Sequence, residues 1–292
     1  MKIHTYKMAD IANKKTKTKD RESKENIMKP TLTAAEEKLS YAKYFHYPLT
    51  PIPQEKLDIL EAGPMDPSKM LNIGLRGKLF EPGYFEEEIG YGVASDGSGY
   101  VSNLTKMPGV TKEMFEWWFA WHGLEDTRYK IWDPEDHYYA RQKDRDKAMS
   151  HNLPMRERTW GTTHEILEDI GAGADELVLD FKYPSEMGYP EDLVGTDVCA
   201  SMMCANGHGP EPGKGVAAVM THMIREMEGG IELRSRFWIG YQIVNGMTMK
   251  LIPRGESVPM EVVKGLFAHN LKEFTHLATI LPLVYAEEKD NF

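Results

Sequence analysis

The chain has 292 residues, with 35 Lys and Arg against 45 Asp and Glu, giving a formal net charge of −10. That balance disfavours nonspecific binding to nucleic acid or anionic membrane, and no apolar run approaches the roughly twenty residues a bilayer span needs. A hydrophobic share of 41% supports one large domain, or one domain with a small appendage.

The first residues include basic side chains but no apolar segment after them, so no signal peptide is expected. Cys199 and Cys204 make neither a disulfide framework nor a zinc knuckle; they are predicted to be small buried residues of a protein in a reducing cytoplasm. Six Trp and fourteen Tyr suit a core or a pocket for a flat ring.

Residues 1 to about 29 are polar and charged and are predicted to be a flexible arm. Thr33 opens a short helix running towards Phe45; Pro48, Pro51 and Pro53 end it, and a second helical piece runs from Ile52 to Gly63. Pro64 and Pro67 mark a linker, so residues 1–70 are an arm with a small helical region, packed on the main domain or on a second subunit. From Leu71 the character changes. Glu88–Val101 reads as strands around a turn at Ser95–Gly99, and Thr111–His122 as an aromatic helix closed by Gly123. Trp160–Ile170 and Ala174–Tyr183 read as strands around a Gly-Ala-Gly turn. Gly215–Met227 and Ile231–Ile243 make a hairpin, and Met247–Pro253 a further strand. A long helix follows, capped by Ser257 and stopped by Pro282. Strands gripping one long helix give an α+β architecture over residues 71–292.

On that helix Val262, Leu266, His269, Glu273 and Leu277 share a face. His269 and Glu273, one turn apart, can reach one metal ion. An isolated pair of this kind reads first as a core histidine bound to its neighbour, and becomes a metal pair only with further ligands. His276, two turns on, is a rival. His137 closes the turn Trp132–Asp136, as a ligand or a surface histidine. Glu168 sits between Ile166 and Ile170 on an inward strand face and needs a cationic partner, a metal or an arginine such as Arg234. If Glu226 pairs with Ile231, His222 opposes Ser235, on the face of Ile224, Leu233, Phe237 and Tyr241. There it is a hydrogen-bonded core residue or a general acid/base.

Trp132–Arg141, Glu165–Gly171, Arg234–Tyr241 and His269–Glu273, in this order, resemble the 2,4-diacetylphloroglucinol hydrolase / phloretin hydrolase family from about Leu71 onward. The resemblance implies a helix-grip domain like the birch-pollen allergen, with an N-terminal helical part used in forming a homodimer. It implies Zn²⁺ held by His137, Glu168, His269 and Glu273, with His222 assisting proton transfer and Tyr129 facing the substrate. Two polar pocket positions of the diacetylphloroglucinol branch fall on Ala140 and Phe237, which leaves room for a bulkier acyl group, as in phloretin. The implied reaction cleaves the carbon–carbon bond between a polyhydroxylated ring and its acyl group. Glu168 is then also a candidate proton carrier, and Tyr129 orients a phenolic oxygen. The rival functions are a noncatalytic carrier of flat phenolics and a zinc hydrolase of aryl esters.

Overall fold

The computed structural model describes residues 29–211 and 215–292. Residues 1–28, nearly the whole of the predicted arm, lie outside the described residues. Ten strands form among the described residues: β1 (Gly90–Val93), β2 (Gly99–Pro108), β3 (His137–Gln142), β4 (Thr163–Glu168), β5 (Asp175–Lys182), β6 (Ser201–His208), β7 (Ala218–Met227), β8 (Gly230–Ile239), β9 (Tyr241–Val244) and β10 (Met247–Lys250). The first eight make one antiparallel sheet in the order β1-β2-β8-β7-β6-β5-β4-β3, and β9 pairs with β10 alone. The helices are α1 (Gln54–Ala62), α2 (Lys112–Trp121), α3 (Asp126–Lys130), α4 (Arg145–Ala148) and α5 (Met260–Glu288). The long α5 lies on β2 and β1 and against α2. This is the expected α+β, helix-grip arrangement. Among the described residues no helix is long and apolar enough to cross a membrane.

The helix and sheet meet through Val263, Phe267, Leu271, Phe274, Leu277, Ile280, Leu281 and Val284, all fully buried. Each such side chain contributes about 1.5–3 kcal/mol by leaving water. The buried stripe is wider than the predicted face and rotated from it, so that Val262 and Leu266 are only half-buried at its edge. Pro282 does not stop the helix, which runs on to Glu288. A proline inside a helix costs about 3 kcal/mol, but Leu281 and Val284 are buried on either side of it and Tyr285 beyond it meets the Trp117 ring edge-on at 5.2 Å. The helix begins after Pro259, and Ser257 caps nothing.

Two strands escaped prediction. β6 is buried along almost its whole length, so it shows no alternation of apolar and polar residues. β3 follows the predicted turn without a local strand signal, because its ladder depends on a distant partner, β4. The predicted strand Ile231–Ile243 breaks at Gly240, where φ is +95° and a Cβ would overlap the Ile252 side chain. Tyr241 therefore belongs to β9 and hydrogen-bonds Asp96, away from the face where it was expected. Gly123 is not a left-handed cap. Its missing Cβ makes room for the His164 ring, whose Cε1 would stand 2.8 Å from it.

The predicted helix from Thr33 to Phe45 is two 3-10 turns, Glu36–Lys38 and Ala42–His46. Tyr41 and Tyr44 from this segment are buried in the main core, Tyr41 edge-on to Trp121 at 5.1 Å.

Candidate metal centre and its aromatic enclosure

α3 carries Tyr129 and leads into a tight turn in which the Asp133 carbonyl accepts from the backbone N–H of Asp136 and of His137. β3 starts at His137, which lies directly opposite Glu168 on β4, and a register shift follows between His137 and Tyr139. Such a bulge re-aims the side chains around it. His269 and Glu273 come from adjacent turns of α5. One turn earlier stands Gly265, where a Cβ would overlap the Ile170 carbonyl oxygen. A glycine there lets the end of β4 approach the helix closely.

Four predicted side chains thus meet. His137 Nε2 and His269 Nε2 lie 3.2 Å apart. Glu168 Oε2 is 3.8 Å from each of them, and Glu273 Oε2 is 3.8 and 3.9 Å from them. A tetrahedral cation with donors about 2.0–2.1 Å away has edges of about 3.3 Å; the nitrogen–nitrogen edge is close to that, and the four nitrogen–oxygen edges exceed it by about half an ångström. Asp133, His137 and His269 form a second set, with donor atoms within 4.8 Å of one another. Asp133 Oδ2, however, faces the other nitrogen of His269, Nδ1, at 3.9 Å, and lies 3.1 Å from the Lys272 ammonium.

The surroundings orient each donor. His137 Nδ1 donates to the Tyr129 carbonyl at 3.3 Å, which leaves Nε2 with its lone pair inward. The Tyr129 ring stacks flat on His137 at 3.9 Å, and its hydroxyl donates to Glu168 Oε2. Asn270 Nδ2 donates to Glu273 Oε1 at 3.0 Å. Behind His269, Asp136 Oδ2 stands 3.6 Å from Nδ1 and is ion-paired with Lys272. Asp133, Asp136, Asn270 and Lys272 were not assigned from the sequence. The Asp133–Asp136 spacing and the i+3 positions on the helix are signals only in hindsight.

His137 is inaccessible to solvent, and His269 and Glu273 are about 5% and 6% exposed. Burial, together with the charge on His269, holds His137 well below the ordinary histidine range. Burial and the neighbouring carboxylates outweigh the pull of His269 and raise Glu273 to about 8. Burial would lower His269, but Asp136, Glu273, Glu168 and Asp133 together raise it to about 9. Buried acids this close together call for positive charge, and two imidazole Nε2 atoms facing each other at 3.2 Å call for a shared electrophile between them. The donor set therefore fits a divalent cation.

His222 stands apart from the quartet. The predicted register holds, with His222 opposite Ser235 and Glu226 opposite Ile231. Its Nδ1 lies 2.9 Å from Ser235 Oγ, and its ring sits among Phe274 at 4.8 Å, Phe237 at 5.6 Å and Phe119 at 5.9 Å. His276, the rival ligand, instead accepts from the Thr50 backbone N–H at Nδ1, 3.2 Å away. Arg234 does not partner Glu168; it pairs with Glu88 at 2.6 Å, as does Arg236. Ala140 and Phe237 are both buried.

Burial holds His122 at about 4, His164 well below the ordinary range and His222 at about 3. In the unfolded chain each would titrate near 6.5. The unfolded chain then binds more protons, so stability is fully present above about pH 6.5 and is lost as pH falls. Each ring costs about 1.4 kcal/mol per pH unit in that window, and the three together about 4. The thermal midpoint should fall steeply from pH 6.5 to 4.5. His164, with neither ring nitrogen hydrogen-bonded, should be replaceable: His164→Phe should melt higher than wild type at pH 5. A flat midpoint across that range would contradict the burial argument.

A family model described as DAPG hydrolase PhiG domain matches residues 71–286. Phloretin hydrolase of Eubacterium ramulus is 50% identical, over 88% of this chain and 93% of that protein. A 2,4-diacetylphloroglucinol hydrolase of a Pseudomonas species is 30% identical, over 85% of this chain and 87% of that one. The crystal structure of Ara h 8.0201 superposes with a TM-score of 0.39 at 8% identity, covering 63% of this chain and 98% of the other. By the extent of the family match and of the identity to both hydrolases, the chain belongs to the DAPG hydrolase family.

Proposed function

We propose that this protein is a zinc-dependent hydrolase of acylphloroglucinol-type aryl ketones, phloretin among them. It adds water across the bond between ring and acyl carbon, giving the deacylated phenol and a carboxylic acid. The observation that carries this reading is the convergence of His137, Glu168, His269 and Glu273 inside an aromatic enclosure. The identity to phloretin hydrolase points the same way. Two imidazoles and two carboxylates at these spacings suit zinc, with Asp133 and Asp136 behind His269 as its outer partners. When bound, zinc would acidify a water towards about pH 7 and polarise the acyl carbonyl.

The chain's own residues supply the rest. Breaking the bond requires a proton on the ring carbon, as in the keto tautomer of the phenol. His222 is the group placed to pass a proton from a phenolic hydroxyl to that carbon. The Tyr129 hydroxyl holds Glu168 and can turn to a phenolic oxygen, while Glu168 carries the proton released by the attacking water. Phe119, Phe237 and Phe274 keep bulk water from the ring. With Ala140 and Phe237 offering no polar group to a second acyl chain, a single bulky acyl group is favoured.

The reading extends to residues 71–292 as the catalytic domain, with the helical part of residues 1–70 mediating a homodimer. It places the protein in the cytoplasm, where Cys199 and Cys204, both buried and free, need no partner. The test is metal analysis with product identification from phloretin, beside a matched aryl ester. One zinc per chain and cleavage of the ketone are expected. Binding without turnover or stoichiometric metal would make the protein a carrier; cleavage of the ester alone would make it an ester hydrolase.

A further inference from the structure

A buried polar chain reaches Glu273 from the far side of the helix. Lys56 on α1 is about 6% exposed although it carries an ammonium group. Its Nζ donates to Asn103 Oδ1 on β2 at 2.9 Å and to Thr105 Oγ1 at 3.1 Å. Asn103 Nδ2 donates to Asn270 Oδ1 on α5 at 2.9 Å. Asn270 Nδ2 then donates to Glu273 Oε1 at 3.0 Å. Asn103 and Asn270 are fully buried, so no bulk water can take over these bonds.

The direction of the chain follows from its first member. An ammonium group only donates, so Asn103 must turn its oxygen to Lys56 and its amide nitrogen to Asn270. Asn270 must then accept with its oxygen and offer its nitrogen to Glu273. An amide left alone could face either way; here one cation sets both. The result is that Glu273 Oε1 is engaged as an acceptor while Oε2 is left facing His137 and His269.

We propose that Lys56, Asn103 and Asn270 are positioning residues that hold Glu273 in its metal-binding orientation, so that a lysine of the N-terminal helical segment governs metal affinity in the main domain. The inference rests on the zinc reading above. Burying a lysine is costly without a strong reason, and this chain gives α1 a specific bond into the site.

The test compares the zinc dissociation constant, by chelator competition, with kcat and KM for phloretin. The variants are Lys56→Met, Asn103→Asp and, as a control, Thr105→Val, each with zinc-free melting. Asn103→Asp keeps the shape and still accepts from Lys56, but it has no N–H for Asn270. It forces Asn270 to turn its nitrogen back and its oxygen towards Glu273, where two acceptors then face each other. Outer partners of metal ligands are typically worth 10–100-fold. Zinc affinity should fall by about that much in Lys56→Met and at least as much in Asn103→Asp, with kcat lowered and KM little changed. Thr105→Val removes a hydroxyl that accepts from Lys56 and from Asn103 Nδ2, both at 3.1 Å, but leaves the three relayed bonds in place, so its loss should be clearly smaller than that of Asn103→Asp. Wild-type zinc affinity and kcat in both Lys56→Met and Asn103→Asp would overturn the relay. So would a loss in Thr105→Val as large as that in Asn103→Asp, which would mean that the Asn103–Asn270 bond carries no weight of its own. If wild type binds zinc no better than His269→Ala, it is the metal reading itself that has failed.

Discussion

His269→Ala and His137→Ala will each leave the purified protein without stoichiometric zinc and without measurable phloretin cleavage. Each removes one of the four side chains proposed to hold the metal, the two nitrogens of which already stand 3.2 Å apart. The loss should exceed the roughly 10–100-fold typical of outer partners. Asp133→Asn gives the internal comparison. If Asp133 only orients His269 from behind, its variant should retain zinc with affinity lowered by about that outer-partner factor. If Asp133 is instead the third ligand of the set with His137 and His269, it should lose zinc as completely as the histidine variants, while Glu273→Gln and Glu168→Gln should keep it. Metal content after dialysis, read together with chelator competition, decides. Full zinc occupancy and full activity in both histidine variants would remove the proposed centre.

How much of this centre was legible depends on where each contact comes from. His269 and Glu273 are one helical turn apart, so their common face follows from local geometry. Glu168 on an inward face follows from strand alternation, and the β7–β8 register that sets His222 opposite Ser235 follows from a tight hairpin. The pairing of His137 with Glu168 across β3 and β4 has no local signature, because a ladder between strands joined by a long connection is decided by the whole sheet. Read from residues alone, His137 and Glu168 stayed ambiguous; the family resemblance joined them. The same limit hid the Lys56 chain, whose three links join α1, β2 and α5. β6 was lost for another reason: a strand buried on both faces has no period to read. Pro282 misled because a local rule met strong tertiary packing, with Leu281 and Val284 fully buried on either side of it.

His222→Phe should retain zinc and lose turnover by about 10²–10⁴-fold, the usual worth of a positioned proton-transfer group. The substitution suits the site, since His222 already packs among Phe119, Phe237 and Phe274. It leaves Ser235 Oγ without its ring partner, a loss of about 1–3 kcal/mol in a buried place. KM should change little, because the ring is asked to move a proton and not to bind a charge. Ser235→Ala, which frees Nδ1 but spares the imidazole, should cost far less. Zinc lost along with activity would make His222 a ligand or a folding residue. The acid side of the rate profile adds a second reading. Burial holds His222 at about 3, so it remains an unprotonated base at pH 5. An acid loss of turnover near pH 5–6 should therefore coincide with unfolding driven by the buried histidines, or with release of zinc, as tracked by circular dichroism and metal content on the same samples. Turnover falling in that range with fold and zinc both intact would mean that substrate raises the His222 pKa, or that another group carries the proton.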